Sequence, residues 1–311
     1  LKRIKITEKI EKEFLKCFID GKCKIKNYSI SNILIDNETI VFHEKKCKLL
    51  KNIKEYFEYL QNKINDSIDF KEILLSTNLD EIIKKYSKYF KNIDDKKKLT
   101  DIVNKAYNSL RKKWGYKIVK LAEANVCLYC NRNFTLNFNE KETTVELDHY
   151  YPKEKYPFLA LNLYNLVPSC HTCNHKKSNS EKNHLHPFFD DIDKEIKFSL
   201  KLKDTSFYHS IDGFNIEIET KSLKAQNHIE VFNLENLYNE HKDIILELIQ
   251  KTYMYDESYL DELFKKYEGT FFRNKEDLTR LISGGYISED EINKRPLSKL
   301  IKDMLEYLNL Y

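Results

Sequence analysis

Two Cys-x-x-Cys pairs, Cys127/Cys130 and Cys170/Cys173, constrain this chain more than anything else in it. Each pair can set two thiolates on one side of a tight knuckle. Two knuckles meeting in space close the tetrahedral four-sulfur shell that a structural Zn²⁺ prefers. Thiols that serve only as small core hydrophobes have no reason to recur in pairs at this spacing. The segment between the pairs is therefore expected to fold back on itself as a zinc-stapled module.

Within that segment the run from Thr143 to Asp148 (TTVELD) is β-branched and partly alternating, which predicts a strand with Asp148 and His149 at its exit. A loop through Pro152 and Pro157 follows, then a second short strand over NLVPSC (Asn165 to Cys170). The polar run after the second knuckle predicts a short helix starting near Thr172.

Strand, loop, strand, knuckle and helix together resemble the HNH, or ββα-metal, nuclease family. That family carries Asp-His at the end of the first strand, an Asn opening the second, and C-x-x-C followed by His or Asn and then Lys. The chain supplies Asp148 and His149, Asn165, and CNHKK from Cys173 to Lys177. The resemblance implies a role for each. His149 would be the general base, because a neutral imidazole accepts a proton at physiological pH. Asp148 and Asn174 would hold Mg²⁺ or Mn²⁺, with a bend at the strand end letting Asp148 and His149 reach one phosphate. Asn174 stands where many relatives have His, which favours a hard, oxygen-preferring ion. His175 takes its place if the helix starts one position later. Asn165 would clasp the loop backbone and orient the His. Lys176 and Lys177 would approach nucleic acid. Cys127, Cys130, Cys170 and Cys173 would hold the structural Zn²⁺. His171 is expected to be exposed, and Tyr129 and Arg132 of the first knuckle to pack and be solvated, with an approach to nucleic acid as the alternative.

A length of 311 residues fits two or three domains, drawn at 1–122, 123–190 and 191–311. No run of about eighteen apolar residues is present, so no membrane span is expected. The opening LKRIKITEKI lacks the apolar core of a signal peptide, and a cytoplasmic protein follows as the expectation. The three cysteines left over, Cys17, Cys23 and Cys47, are irregularly spaced and suit a reducing compartment better than a disulfide framework. The net charge of +4 is a small excess on a chain whose charges are interspersed, so it does not announce a nucleic-acid binder. Local clusters say more. Lys96 to Lys98, Arg111 to Lys113, and Lys176 with Lys177 make either one basic approach to a phosphate backbone or separate solvated faces, the latter favoured by Asp94 and Asp95 before the first cluster.

The flanks read as mainly helical, for an α+β class overall. Apolar spacing predicts helices over 7–18, 48–64, 79–90 and 99–122, the last with the stripe Ile102, Ala106, Leu110, Trp114 and Ile118. A hairpin is expected over 30–43 around Asp36-Asn37, and another over 195–220 with its turn near Asp212-Gly213. Between the module and this second hairpin, HLHPFFDDID reads as a surface loop carrying His184 and His186, with a side chain lent to the metal as the alternative. HIEVFNLENLYNEHKDIILELIQKTY predicts one long helix, and Arg295-Pro296 opens the last. There is no Gly-rich phosphate loop, so ATP hydrolysis by this chain is not expected.

The order of a helical first part, a DHYYPK centre, the HPFFDD exit and a closing RPLSKL segment is similar to the HNH nuclease subunit of Septu-type and retron-associated anti-phage systems. That likeness implies a separate ATPase partner. The expectation is a metal-dependent endonuclease acting on DNA. A ribonuclease with the same site, or an inactive zinc-knuckle nucleic-acid-binding or scaffold protein, remains the alternative.

Overall fold

The structure is a computed structural model that describes residues 4–21, 23, 29–65, 67–91, 96–122, 125–139 and 143–308. Asp94, Asp95 and the side chain of Ile118 lie outside the described set. The chain divides into two compact units, one made of Ile4–Glu123 and Thr135–Glu181, the other of Leu1–Arg3, Ala124–Phe134 and Lys182–Tyr311.

The first unit holds α1 (Glu8–Leu15), the antiparallel sheet β1 (Leu34–Ile35), β2 (Thr39–Phe42) and β3 (Lys45–Lys48), then α2 (Lys51–Ile64), α3 (Phe70–Leu75), α4 (Leu79–Tyr86) and α5 (Lys96–Ala122). Its core is the seam between α2 and α5. Ile53, Tyr56, Phe57, Leu60 and Ile64 recur at helical spacing on α2 and are buried, as are Ile102, Val103, Ala106, Leu110 and Trp114 on α5. Each large side chain so buried stabilises the fold by about 1.5–3 kcal/mol. Trp114 meets Phe14 of α1 edge-on at 5.1 Å. Two elements were not expected: β3, which extends the predicted hairpin, and α3, a short helix capped by Asp69, whose carboxylate accepts from the amides of Lys71 and Glu72. Cys23 and Cys47 are joined in a disulfide, which corrects the expectation of free thiols. An antiparallel bridge between Ile19 and Leu49, with Asp20 N donating to Lys48 O, lays the chain before Cys23 beside the end of β3. The Cα atoms of the two cysteines are 5.7 Å apart, inside the bridging range, a proximity that spacing along the chain does not encode.

The same unit carries the two strands read from the motif. β4 (Glu146–His149) and β5 (Leu166–Ser169) pair antiparallel with Asp148 opposite Val167 and His149 opposite Leu166, and α6 (His171–Lys177) packs on β4.

The second unit contains α7 (Ile192–Glu195), β6 (Ile196–Leu202) paired antiparallel with β7 (Phe214–Thr220), then α8 (Leu223–Phe232), α9 (Leu234–Asn239), α10 (Lys242–Met254), α11 (Glu257–Tyr267), α12 (Lys275–Ser283) and α13 (Ser298–Tyr307). The one long helix expected from residue 228 onward is three. Asn233 adopts φ 52°, the left-handed conformation that Asn tolerates, and ends α8; His241 at φ −112° separates α9 from α10. The hairpin has no tight turn at Asp212-Gly213; two 3₁₀ turns, Thr205–Tyr208 and Ile211–Gly213, lie between its strands. α13 packs on β6 through a buried ionic cluster in which Asp303 accepts from Lys299 at 2.6 Å and from the amide of Phe198 at 2.9 Å. No helix among the described residues is long and apolar enough to cross a membrane.

Candidate active site and cysteine centre

Backbone geometry builds each knuckle. In the first, Asn131 sits at φ 49°, turning the chain back after Cys130, whose sulfur accepts from the Arg132 amide at 3.4 Å. Buried Asn131 is held on three sides: its Nδ2 donates to Ile292 O, its Oδ1 accepts from Lys299 N, and its carbonyl accepts from Leu297 N. Tyr238 donates its hydroxyl to Cys130 O, and His228 Nε2 donates to Tyr129 O. In the second knuckle the Cys170 sulfur caps α6, accepting from Cys173 N at 3.5 Å. The sulfurs of Cys127, Cys130, Cys170 and Cys173 lie within 4.8 Å of one another, and all four residues are buried. Four Zn–S bonds of about 2.3 Å place tetrahedral sulfurs about 3.8 Å apart, so the cluster can hold a zinc ion with little adjustment.

The residues expected to do chemistry line one cleft of about 320 Å³ in the first unit. Asp148, His149, Asn174 and His175 all line it, and Tyr107, Arg111, Glu146, Lys153 and Glu154 are among the other residues of its wall. Its floor is the end of β4. His149 Nε2 lies 2.9 Å from Ala160 O. A carbonyl can only accept, so Nε2 carries the proton and the Nδ1 lone pair is the ring's acceptor. Burial, then the charge of Lys153, push the imidazole down to about 3 against the stabilising Ala160 bond, so the ring is neutral at physiological pH. Tyr107 stacks obliquely on His149 with ring centres 4.7 Å apart, and its hydroxyl donates to Leu147 O at 2.7 Å. That bond fixes α5 against the strand.

Asn165 is fully buried and clasps the intervening loop. Its Oδ1 accepts from Tyr151 N at 2.7 Å, and its Nδ2 donates to Tyr151 O and Leu159 O, each at 3.1 Å. Leu159 neighbours the Ala160 carbonyl that orients the imidazole, so the amide reaches His149 through one residue of backbone.

Lys177 requires a correction. Expected at a phosphate, it is buried, with Nζ 3.0 Å from Asp148 Oδ2 and donating to His149 O at 2.6 Å. α6 turns Lys177 inward beneath β4, where a lysine's long stem is covered and its charge finds a carboxylate. Lys176, the residue before it, is exposed, as is His171. His184 and His186 are also corrected: both are buried rather than on a surface loop, His184 Nδ1 donating to Lys182 O and the ring packing against Tyr129 and His228.

Sequence reasoning left Lys153, Glu154 and Tyr107 without a role. Lys153 was visible inside the quoted DHYYPK run, but nothing in its spacing shows that it turns into the cleft. Tyr107 belongs to a helix remote in sequence and carried no signal.

Residues 127–180 match the family model described as HNH endonuclease. The chain is also similar to the Septu protein PtuB of Bacillus thuringiensis, 30% identical over 154 residues, which is 47% of this chain and 51% of that protein. The chain thus spans about half the length of the curated relative it matches. No solved structure matches it.

Proposed function

We propose that this chain is a metal-dependent HNH endonuclease that hydrolyses DNA phosphodiester bonds, an effector of anti-phage defence working with an ATPase partner. The observation that carries the reading is the orientation of His149, whose Nε2 proton is committed to Ala160 O while Nδ1 stays an acceptor in a cleft shared with Asp148 and Asn174. Likeness to the HNH model and to a Septu protein supports the reaction class and the defence setting.

The chemistry follows from the residues. Water donates a proton to His149 Nδ1 as its oxygen attacks phosphorus; the bond from phosphorus to the 3′ oxygen breaks, and that oxygen leaves with a proton from solvent. The ends are a 5′-phosphate and a 3′-hydroxyl. An incoming phosphodiester anion raises the proton affinity of the imidazole that burial had depressed, so the base strengthens when substrate arrives. The Asp148 carboxylate and the Asn174 amide, with His175 beside it, offer a mainly oxygen donor set suited to Mg²⁺ or Mn²⁺. Such an ion would supply charge stabilisation at the phosphate and the leaving oxygen. Lys177 holds Asp148 in place, Asn165 holds the loop, and the four cysteines would hold Zn²⁺ as structure.

Incubating plasmid DNA and tRNA with wild type and His149→Ala in Mg²⁺ or Mn²⁺ tests this. Wild type nicks or linearises DNA, and the variant binds without cutting. Equal cutting by both removes His149 from the mechanism; cutting of RNA alone makes the chain a ribonuclease; no cutting of either leaves a zinc-knuckle binding protein. Co-purification with an ATPase subunit tests the partner.

A further inference from the structure

A second cavity of about 300 Å³ adjoins the catalytic cleft, and the two share Lys153 and Glu154 as lining residues. The rest of its wall is α5: Lys96, Leu99, Thr100, Val103 and Asn104. Tyr107 and Arg111 of the same helix line the catalytic cleft. Lys96, Thr100, Asn104, Tyr107 and Arg111 follow one another at steps of three or four, so a single stripe of α5 runs along both cavities. From Lys96 to Arg111 that stripe is about 22 Å long, at about 1.5 Å per residue.

Resting on the nuclease reading above, we propose that this second cavity is a subsite for the sugar-phosphate backbone of a single nucleic-acid strand flanking the scissile bond, with Lys153 contacting the phosphate at the junction. Three observations converge on it. Leu99 and Val103 are buried and give an apolar floor for a sugar, while Lys96 and Lys153 supply cations and Asn104 an amide around it; Thr100, whose hydroxyl donates to Lys96 O, leaves its oxygen lone pairs on that wall. Lys153 lies over the Tyr107 ring, 4.8 Å from its centre, which aims the ammonium between the two cavities. No carboxylate among the described residues forms an ion pair with it, whereas Arg111 is engaged by Glu146 at 3.0 Å and Lys177 by Asp148. Glu154, the one carboxylate lining the second cavity, is exposed and opposed by two lysines. Partial burial also lowers the proton affinity of Lys153, so an arriving phosphate recovers a solvation cost that the free protein bears. The cation that the motif suggested at Lys177 is thereby replaced by one that the cleft exposes.

The test measures binding of fluorescein-labelled single-stranded DNA and RNA oligonucleotides by anisotropy over a salt series, using the full chain carrying His149→Ala. Adding Lys153→Gln weakens binding about tenfold and lowers the slope of log affinity against log salt by about one, the signature of one lost phosphate contact. Adding Lys153→Arg restores most of both. Thr100→Glu, an exposed helical position, weakens binding at least as much. Comparing DNA with RNA reports which backbone the subsite prefers. Unchanged affinity and slope in Lys153→Gln and Thr100→Glu overturn the subsite. With His149 intact, the rate on an oligonucleotide divided by the rate on bis(p-nitrophenyl) phosphate, too small to span both cavities, falls about tenfold in Thr100→Glu; an unchanged ratio also overturns it. A wild type that hydrolyses neither compound removes the nuclease reading, and the binding series still decides the subsite.

Discussion

The ammonium of Lys177 lies 3.0 Å from the carboxylate of Asp148, both side chains out of water, and the same ammonium donates to the carbonyl of His149. One buried cation thus holds both residues of the Asp-His step. It neutralises a carboxylate that would otherwise be costly to bury, and it fixes the backbone at the strand end where the imidazole must point into the cleft.

Removing that cation is expected to be expensive. Lys177→Met strands a buried carboxylate and lowers unfolding free energy by about 3 kcal/mol or more. Asp148→Asn combined with Lys177→Met recovers part of the loss, because the stranded charge is gone. Urea denaturation of the single and double variants checks this, and a Lys177→Met protein as stable as wild type would refute the pairing.

Asn165→Ala removes three hydrogen bonds from the buried loop and leaves backbone groups of Tyr151 and Leu159 without them. Stability drops by about 2–3 kcal/mol. Cleavage slows by about 10–100-fold through the displaced Ala160 carbonyl, with kcat affected more than KM. Melting curves and single-turnover rates on the same preparation measure both; loss of stability with unaltered chemistry would separate the loop from the imidazole.

Cys127→Ser opens the sulfur shell. Because zinc binding energy is folding energy, the variant loses its metal and its cooperative melting together rather than catalysis alone. Elemental analysis is expected to find one zinc per wild-type chain and much less in the variant. Full zinc content with normal melting in Cys127→Ser would rule out the structural assignment.

Acid should weaken the protein through His228. Burial lowers this imidazole from 6.5 to about 4, against the support of its bond to Tyr129 O. The unfolded chain therefore takes up a proton before the folded one as pH falls. The stabilisation is fully present above pH 6.5 and drains away between 6.5 and about 4, amounting to about 3 kcal/mol for this group. His149 acts with the same sign, so the comparison is between wild type and His228→Gln. The variant is less stable near pH 8 but its stability changes less across that window. Parallel pH profiles would show that the ring is not buried neutral.

What was legible in the chain alone was local. Cys127, Cys130, Cys170 and Cys173 announce themselves by spacing, because a knuckle needs both thiols within one turn of chain. β4 and β5 follow from β-branched and apolar runs, and α6 from the polar stretch that the second knuckle opens, so the Asp148, His149, Asn165 and Asn174 positions could be read in order. The α2 and α5 helices follow from apolar residues at a period near four. Tertiary structure decided everything that depends on what covers a side chain. Lys176 and Lys177 are adjacent and chemically alike, yet one is solvated and the other buried against Asp148, because a helix turns by about 100° per residue and only one of them faces β4. The same holds for His184 and His186, polar in sequence and buried in the fold, and for Cys23 and Cys47, which the long-range bridge between Ile19 and Leu49 helps bring to bonding distance. Spacing names the groups that local backbone geometry must bring together. Burial and charge partners are set by elements distant in sequence, and the placement of Lys153 between two cavities arises only where α5 packs beside the strand end.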